Sequence, residues 1–323
     1  MTLRLTFVLA LAVAVGGCDG FEDDDFTAQV VVSATLGAGE PLPPVALSES
    51  APLLDVYDPD ARAVGGATVT VTLLAADGSP ERVYPYREVV AGRYLADTDD
   101  AAMPGRTYRL DVRAGDATLT AQTTVPPAIS LVEPPAETTV YGTGQGPEVR
   151  ITQTSTAARQ SAFVTSTRAL APVDFVEVEV DGETRYRSVP EDGRFGLTSP
   201  YERFLGCDRE PDGVTLVCDF DPSENAIVGT SPVINEASYI PLGDGTVLVQ
   251  VPYLAFGFFG PVQISLVSLD PALEAFVESQ LVQGGGSTLS PGEIPNVTSN
   301  VEGGLGVFGS FARVIAQTTL VEP

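Results

Sequence analysis

From residue 26 onward, apolar and polar residues alternate in short segments that are separated by glycine, proline and aspartate. Residues 67–74, for example, read Ala-Thr-Val-Thr-Val-Thr-Leu-Leu, with threonines at alternate positions. Alternation with a period of two is typical of β-strands that bury one face. Because only turn residues separate these segments, they predict an immunoglobulin-like β-sandwich over residues 27–127, closed by Pro126-Pro127.

The same alternation continues through the rest of the chain and predicts a second β-rich domain, sandwich or barrel-like, over residues 128–323. The expected fold class is therefore all-β. One short helix is expected in the second domain, because Asp270 suits an N-cap, Pro271 the first helical position and Gly284 the C-terminal end.

An uncharged span, residues 245–269, is predicted to form two strands and a loop rather than a membrane helix, because its prolines and alternating valines disfavour a helix. The loop carries four aromatic residues: Tyr253, Phe256, Phe258 and Phe259. One interpretation is an exposed tip that docks a partner protein. The other, which is favoured, is that they plug the end of the second β-domain, since aromatic side chains mostly bury.

The N-terminus has the order of a secretory lipoprotein signal. Arg4 precedes an uncharged apolar run over residues 5–15, which is too short to span a bilayer, and two glycines precede Cys18. Residues 1–17 are therefore predicted to be a signal peptide, and Cys18 the lipidated first residue of the mature chain, held on a membrane by its acyl chains. The alternative is an ordinary secretory peptide that leaves Cys18 as a free thiol.

An acidic tether follows over residues 18–26. Its run of Glu22, Asp23, Asp24 and Asp25 resembles the signal that directs lipoproteins of receptor-rich bacteria to the outer cell surface. This predicts a lipid-anchored outer-membrane protein that faces the cell exterior. A disordered acidic spacer is the alternative.

The two remaining cysteines, Cys207 and Cys218, flank a segment with the turn sequence Pro211-Asp212-Gly213 at its middle. A hairpin over this segment would bring the two sulfurs near bonding range. In an exported chain this predicts a structural disulfide. Two free buried thiols are the alternative.

The composition excludes several kinds of chemistry. With 43 acidic and 17 basic residues the net charge is −26, which disfavours binding to nucleic acid. The chain has no histidine and all its basic residues are arginine, which excludes Ser-His-Asp triads, histidine metal sites, Ser-Lys dyads and P-loop lysines. The aspartate clusters lack EF-hand spacing, so neither a metal nor another cofactor is expected. Carboxylate chemistry remains, but no pattern marks a catalytic pair.

A distinctive motif precedes the C-terminal segment, with the sequence Ile294-Pro295-Asn296-Val297-Thr298-Ser299-Asn300-Val301-Glu302-Gly303-Gly304-Leu305-Gly306-Val307-Phe308-Gly309. It resembles a hallmark of the family known as domain of unknown function 4249. Two shorter matches agree in order, Gly92-Arg93-Tyr94 and residues 105–112. The resemblance implies outer-membrane lipoproteins that accompany TonB-dependent receptors, and it supplies no catalytic residues.

The glycines and asparagines of this motif permit positive φ angles and close backbone approach. We therefore expect the motif to cross the end of the sheet with Leu305, Val307 and Phe308 packed inward, before a last strand over residues 311–320.

Together these features predict a non-enzymatic outer-membrane lipoprotein that binds a partner or ligand, as an accessory to a TonB-dependent receptor. Two alternatives from other classes stay open. One is a carboxylate-based hydrolase that acts on an extracellular polymer, and the other is a structural envelope protein with no single ligand or receptor.

Overall fold

The structure, a computed structural model, describes residues 26–52, 55–56, 58–142, 146–152, 161–222, 227–235, 238–285 and 297–323. The predicted lipidation site Cys18 and the predicted export residues Glu22, Asp23, Asp24 and Asp25 lie outside these ranges.

Within the described ranges the regular structure consists of twenty strands, two α-helices and one short 3₁₀ helix (Tyr253–Ala255), so the all-β prediction is confirmed. The strands are β1 (Val30–Gly37), β2 (Val45–Glu49), β3 (Thr68–Leu74), β4 (Pro80–Val90), β5 (Arg93–Ala96), β6 (Thr107–Ala114), β7 (Ala117–Thr124), β8 (Leu131–Glu133), β9 (Thr138–Val140), β10 (Glu148–Thr152), β11 (Ala162–Ala169), β12 (Asp174–Val180), β13 (Glu183–Val189), β14 (Cys207–Arg209), β15 (Leu216–Cys218), β16 (Val228–Thr230), β17 (Tyr239–Pro241), β18 (Thr246–Gln250), β19 (Gly260–Leu269) and β20 (Leu305–Val321). The helices are α1 (Ser199–Phe204) and α2 (Pro271–Gly285).

The strands form three sheets. The largest has twelve strands in the order β16-β11-β19-β20-β1-β2-β5-β4-β3-β6-β7, with β9 beside the end of β20. Two four-stranded sheets have the orders β17-β18-β10-β8 and β12-β13-β15-β14. Over the part of the chain that the structure describes, none of these sheets closes into a barrel.

The first hydrophobic core is formed by side chains of β1 to β7 in the large sheet, together with Val301 and Phe308. On β6 the side chains of Tyr108, Leu110 and Val112 are buried, whereas those of Arg109 and Asp111 are partly exposed. This is the arrangement that alternation predicts for a strand with one solvated face.

The second core is a sandwich between the sheet β17-β18-β10-β8 and the β11-β19-β20 part of the large sheet. Val247 and Val249 on β18 and Ile264 and Leu266 on β19 are almost completely buried. The two strands predicted for the uncharged span are therefore β18 and β19, and both contribute to this core.

A third, smaller core lies under the sheet β12-β13-β15-β14. This sheet and α1 are inserted between β11 and β16, which pair with each other in the large sheet. The core contains Val173, Leu197, Leu205, Leu216 and Phe258.

Strand β20 belongs to both larger cores. Its first half pairs in parallel with β1, with Leu305 opposite Val31, and its second half pairs antiparallel with β19, with Leu320 opposite Gly260. The first core contains Phe308 and the second contains Leu320.

The C-terminal motif, which was expected wholly within residues 128–323 of the second domain, therefore also completes the first core. The boundary after Pro127 itself stays a prediction. It separates β7 from β8 along the chain, but β1 and β20 pair across it.

The last part of the glycine-rich motif, from Leu305 to Gly309, is not a connection as expected but the beginning of β20. Gly306 has a φ of 106°, and a Cβ at this position would overlap the carbonyl oxygen of Val32 in the neighbouring strand. The glycine is thus needed for close approach of two backbones. Val307 and Phe308 are buried as expected, but Leu305, as the first residue of the strand, is 38% exposed.

Asn300 does not adopt a positive φ; it holds β20 in place through its side chain. Its Nδ2 donates hydrogen bonds to the carbonyl oxygens of Phe308 at 2.8 Å and Gln122 at 3.1 Å, and its Oδ1 accepts one from the Phe308 N–H at 3.0 Å. Two backbone hydrogen bonds also join Glu302 to Thr120. The motif therefore covers the free edge of β7, which protects an otherwise unpaired strand.

Candidate docking surface

The start of β1 and the aromatic loop before β19 lie at opposite ends of β20. β1 begins beside Leu305, whereas β19 begins beside Leu320. β20 has 17 residues, and a rise of about 3.3 Å per residue makes it roughly 55 Å long. We call the end near Leu320 the distal end.

The four aromatic residues of the loop do not form an exposed tip. Phe256 is buried in the second core and Phe258 in the third, at 1% and 2% exposure. Tyr253 and Phe259 are partly buried against Tyr141, with ring centroids 4.8 and 5.7 Å from the Tyr141 ring. The loop therefore joins two cores, because Phe258 packs in the third core and the other three aromatic side chains pack in or against the second.

Exposed apolar side chains lie next to this loop instead. What we call the distal aromatic surface consists of the exposed Phe204, Phe220 and Leu254 together with the half-buried Tyr201. Phe204 is 77%, Phe220 64% and Leu254 59% exposed. Large apolar side chains exposed on neighbouring segments are typical of protein interaction sites.

Hydrogen bonds fix the segments that carry this surface. The Tyr201 hydroxyl donates to the carbonyl oxygen of Leu254 at 3.4 Å, which joins α1 to the loop. The N–H of Phe220 donates to the carbonyl oxygen of Leu205 at 3.2 Å, beside the end of α1. Burial raises the pKa of Tyr201 above its ordinary value, so the hydroxyl stays a neutral donor.

A groove of about 510 Å³ adjoins the loop and is lined in part by Glu133, Glu148, Arg150 and Tyr253. The Arg150 guanidinium already contacts Asp244 at 2.6 Å and Glu133 at 3.6 Å. Because this positive charge is neutralised within the protein, the groove offers little attraction to an anionic ligand.

The predicted disulfide is present, with Cys207 directly opposite Cys218 in the hairpin β14–β15. Asp212 caps the turn, since its carboxylate accepts hydrogen bonds from the Thr215 hydroxyl and from the N–H groups of Val214 and Thr215. These bonds, that of the Thr215 hydroxyl first, lower the pKa of Asp212 to about 2. The turn is therefore expected to keep these hydrogen bonds until the pH falls to about 2.

Replacing both cysteines by serine is expected to open the third sheet and leave the two larger cores folded. Closing a loop of 11 residues with a disulfide contributes about 3 kcal/mol, and the third core is small. Hydrogen exchange measures this directly: amides of β13 and β15 should lose protection, whereas those of β19 should not. Equal exchange in both proteins would contradict a structural role for the bond.

Among the carboxylates that the structure describes, Asp270 is the most deeply buried, at 2% exposure, and it is a structural group. Its Oδ1 accepts hydrogen bonds from the N–H groups of Ser310 at 2.8 Å and Leu273 at 3.1 Å. Its Oδ2 accepts from the Thr123 hydroxyl at 3.0 Å and the Ala272 N–H at 3.2 Å. The predicted N-cap is thus confirmed, and it also joins α2 to β7 and β20. Burial raises the pKa of this carboxyl above its ordinary value.

The sequence predicted the aromatic loop but not the distal aromatic surface. For Phe220 the sequence did indicate exposure, because its neighbours Asp219 and Asp221 are both charged and a buried position would be unfavourable for them. Phe204 carried no comparable signal.

In the described ranges, no set of three acidic or cysteine side chains is placed to share a metal ion, and no helix is long and apolar enough to cross a membrane.

Comparison with known families gives a match to a model described as "Domain of unknown function (DUF4249)" over residues 20–314. None of the curated proteins matches the chain.

Two solved structures show weak similarity. The first is a crystal structure of Salmonella alpha-2-macroglobulin reacted with methylamine, at 12% identity and a TM-score of 0.23, covering 91% of this chain and 15% of that one. The second contains three N-terminal domains of the bacteriophage RB49 highly immunogenic outer capsid protein, at 10% identity and a TM-score of 0.17, covering 92% and 100%. The chain thus spans about 15% of the length of the first.

Proposed function

The chain belongs to the family described as domain of unknown function 4249, and from that membership we propose that it is a non-enzymatic lipoprotein of the outer membrane that docks a β-barrel receptor of the TonB-dependent class. The lipid anchor is Cys18, and the acidic run Glu22, Asp23, Asp24 and Asp25 directs the protein to the cell exterior.

The observation that carries this proposal is the position of the distal aromatic surface. The predicted acidic tether, residues 18–26, and residues 27–29 precede β1 in the sequence, and the exposed side chains of Phe204 and Leu254 lie at the other end of β20. A chain of the twelve residues between the predicted anchor and β1 can span at most about 40 Å. The lipid anchor would hold the chain on the membrane. The distal aromatic surface, at the other end of β20, could then contact a receptor that projects from the same membrane.

The docking surface is tested by replacing Phe204 and Leu254 with serine in the full chain. Crosslinking in native membranes is expected to capture a β-barrel receptor with the unaltered protein, and to lose most of that capture with the double variant. Removing two exposed anchors from an interface typically weakens binding by about 10-fold or more.

The matched control is Val83→Ser with Val90→Ser, which removes two similarly exposed apolar side chains, at 54% and 61%, on β4. Both double variants should unfold at the same denaturant concentration as the unaltered protein. Equal capture by all three proteins, or no captured receptor at all, would count against the proposal.

The anchor and its orientation are tested separately. Cys18→Ser is expected to move the protein from the membrane to the soluble fraction, because stable anchoring requires the acyl chains. Replacing Glu22, Asp23, Asp24 and Asp25 by alanine is expected to keep the protein on membranes but to protect it from protease added to intact cells. Degradation that is equal with and without the acidic run would show that the run is only a spacer.

A further inference from the structure

The outermost strand of the third sheet, β12, has an open hydrogen-bonding edge. It pairs with β13 in a regular register over its whole length, from Asp174 opposite Val189 to Val180 opposite Glu183. On its other side, no strand of the described chain pairs with it. It carries neither a proline nor a bulge, which are common protections of edge strands.

The hairpin turn determines which backbone groups point outward. Asp181 and Gly182 have φ angles of 53° and 83°, as in a two-residue type I′ turn. Such a turn makes Val180 and Glu183 a hydrogen-bonded pair, and pairs of this kind then alternate along the hairpin. The N–H and C=O groups of Phe175, Glu177 and Glu179 therefore face away from β13.

The contact at the start of the strand confirms this alternation. The N–H of Val173, two residues before Phe175, donates to the carbonyl oxygen of Phe195 at 2.8 Å, on the outward side. The Phe195 N–H donates in turn to the carbonyl oxygen of Ala171 at 3.0 Å. This short contact caps the edge as far as Val173 and leaves it open from Phe175 to Val180.

The charges along this edge indicate which kind of segment it could bind. Glu177 and Glu179 are exposed, lie on the same face two positions apart, and form no ion pair with any described residue. The nearby arginines are already neutralised, because Arg185 contacts Asp219 at 2.7 Å and Arg187 forms an ion pair with Glu210. The open edge is therefore acidic, with carboxylates at the spacing of alternate residues in a strand.

We propose that the open edge of β12 binds an extended segment of a partner protein that carries basic residues at alternate positions and pairs with the edge as an antiparallel strand. The lysine or arginine side chains would lie opposite Glu177 and Glu179, and β-branched residues between them would lie beside Val176 and Val178. A second copy of this chain is a poor occupant, because it has a net charge of −26 and no lysine. This inference does not depend on the lipid anchor or on the distal aromatic surface.

The test uses the full chain in detergent micelles and a synthetic peptide, Val-Lys-Val-Lys-Val-Lys-Val, blocked at both ends. In the proposed pairing the lysine backbone N–H groups face β12 and the valine N–H groups face solvent. Methylating the lysine backbone nitrogens should therefore abolish binding, whereas methylating the valine backbone nitrogens should preserve it. The two methylated peptides have the same charge, so they separate strand pairing from general attraction.

Protein variants make the same distinction. Glu177→Gln with Glu179→Gln is expected to weaken peptide binding about 10-fold, whereas Glu49→Gln with Glu322→Gln removes two exposed carboxylates elsewhere and should change it less than 2-fold. In hydrogen exchange, the peptide should protect the amides of Phe175, Glu177 and Glu179.

Three outcomes would overturn the proposal. They are equal binding of the two methylated peptides, equal effects of the two double variants, and no binding of the unmethylated peptide at low salt. Self-association of the protein through this edge without peptide would assign the edge to a second copy instead.

Discussion

Gly306→Ala is expected to prevent folding, or to lower the free energy of unfolding by about 4 kcal/mol or more. Two effects add at this position. The φ of 106° lies in a region that costs L-residues about 1–2 kcal/mol. The new Cβ would also overlap the carbonyl oxygen of Val32, and the backbone cannot move away without breaking the pairing of β1 with β20.

Gly39→Ala provides the matched control. Gly39 also has a positive φ, of 75°, but a Cβ there would have no atom within 4 Å. In this variant the free energy of unfolding should therefore fall only by the cost of a positive φ for alanine, about 1–2 kcal/mol. Denaturant unfolding followed by circular dichroism measures both variants. If the two substitutions were equally costly, close packing of β20 against β1 would not be the reason for glycine at 306.

Asp270→Ala is expected to lower the free energy of unfolding by about 3–5 kcal/mol. The variant loses the N-cap of α2, which contributes about 1 kcal/mol. It also leaves the Ser310 N–H and the Thr123 hydroxyl buried with fewer partners, and an unsatisfied buried donor costs about 1–3 kcal/mol. If denaturant unfolding shows a decrease of less than 1 kcal/mol, water accepts the hydrogen bonds that the carboxylate accepted.

Asp270→Asn separates charge from hydrogen bonding. An asparagine keeps one oxygen, which can still accept from Ser310 and Leu273, and it does not titrate. Because the pKa of Asp270 is raised in the folded state, the folded protein binds more protons than the unfolded chain between the ordinary value of 3.8 and the raised one. The contribution of Asp270 to the free energy of unfolding is therefore largest below pH 3.8 and falls as the pH rises through this window.

The expected result is that the stability difference between the unaltered protein and Asp270→Asn shrinks as the pH rises through that window. Comparing the two proteins at each pH removes the contribution of the other carboxylates. A difference that grows with pH would mean that the four donated hydrogen bonds outweigh burial and hold the pKa below 3.8.

Local patterns predicted much of this fold because they report local physics. Alternation located most strands, and the N-cap chemistry of Asp270 and Pro271 located α2. The turn residues between Cys207 and Cys218 gave both the hairpin and its disulfide. Each of these elements depends on residues within about one turn or one hairpin of each other.

The features that were missed depend on distant contacts. The glycines of β20 were interpreted as a loop, because nothing near Gly306 indicates that β1 lies against it. β4 contains Pro80 and Pro85, which normally argue against a strand. The distal aromatic surface was missed because exposure of Phe204 depends on how the third sheet packs, and this cannot be read from neighbouring residues.

The position of β20 also determines when the protein can fold. Val31 and Leu305 pair although they are about 270 positions apart, and both larger cores need side chains from β20. At about 5–20 residues per second, β1 waits roughly 15 to 50 s for its partner to be synthesised. The two larger cores should therefore stay incomplete for most of the synthesis of the chain and form only after it, in a slow step limited by closing this long loop.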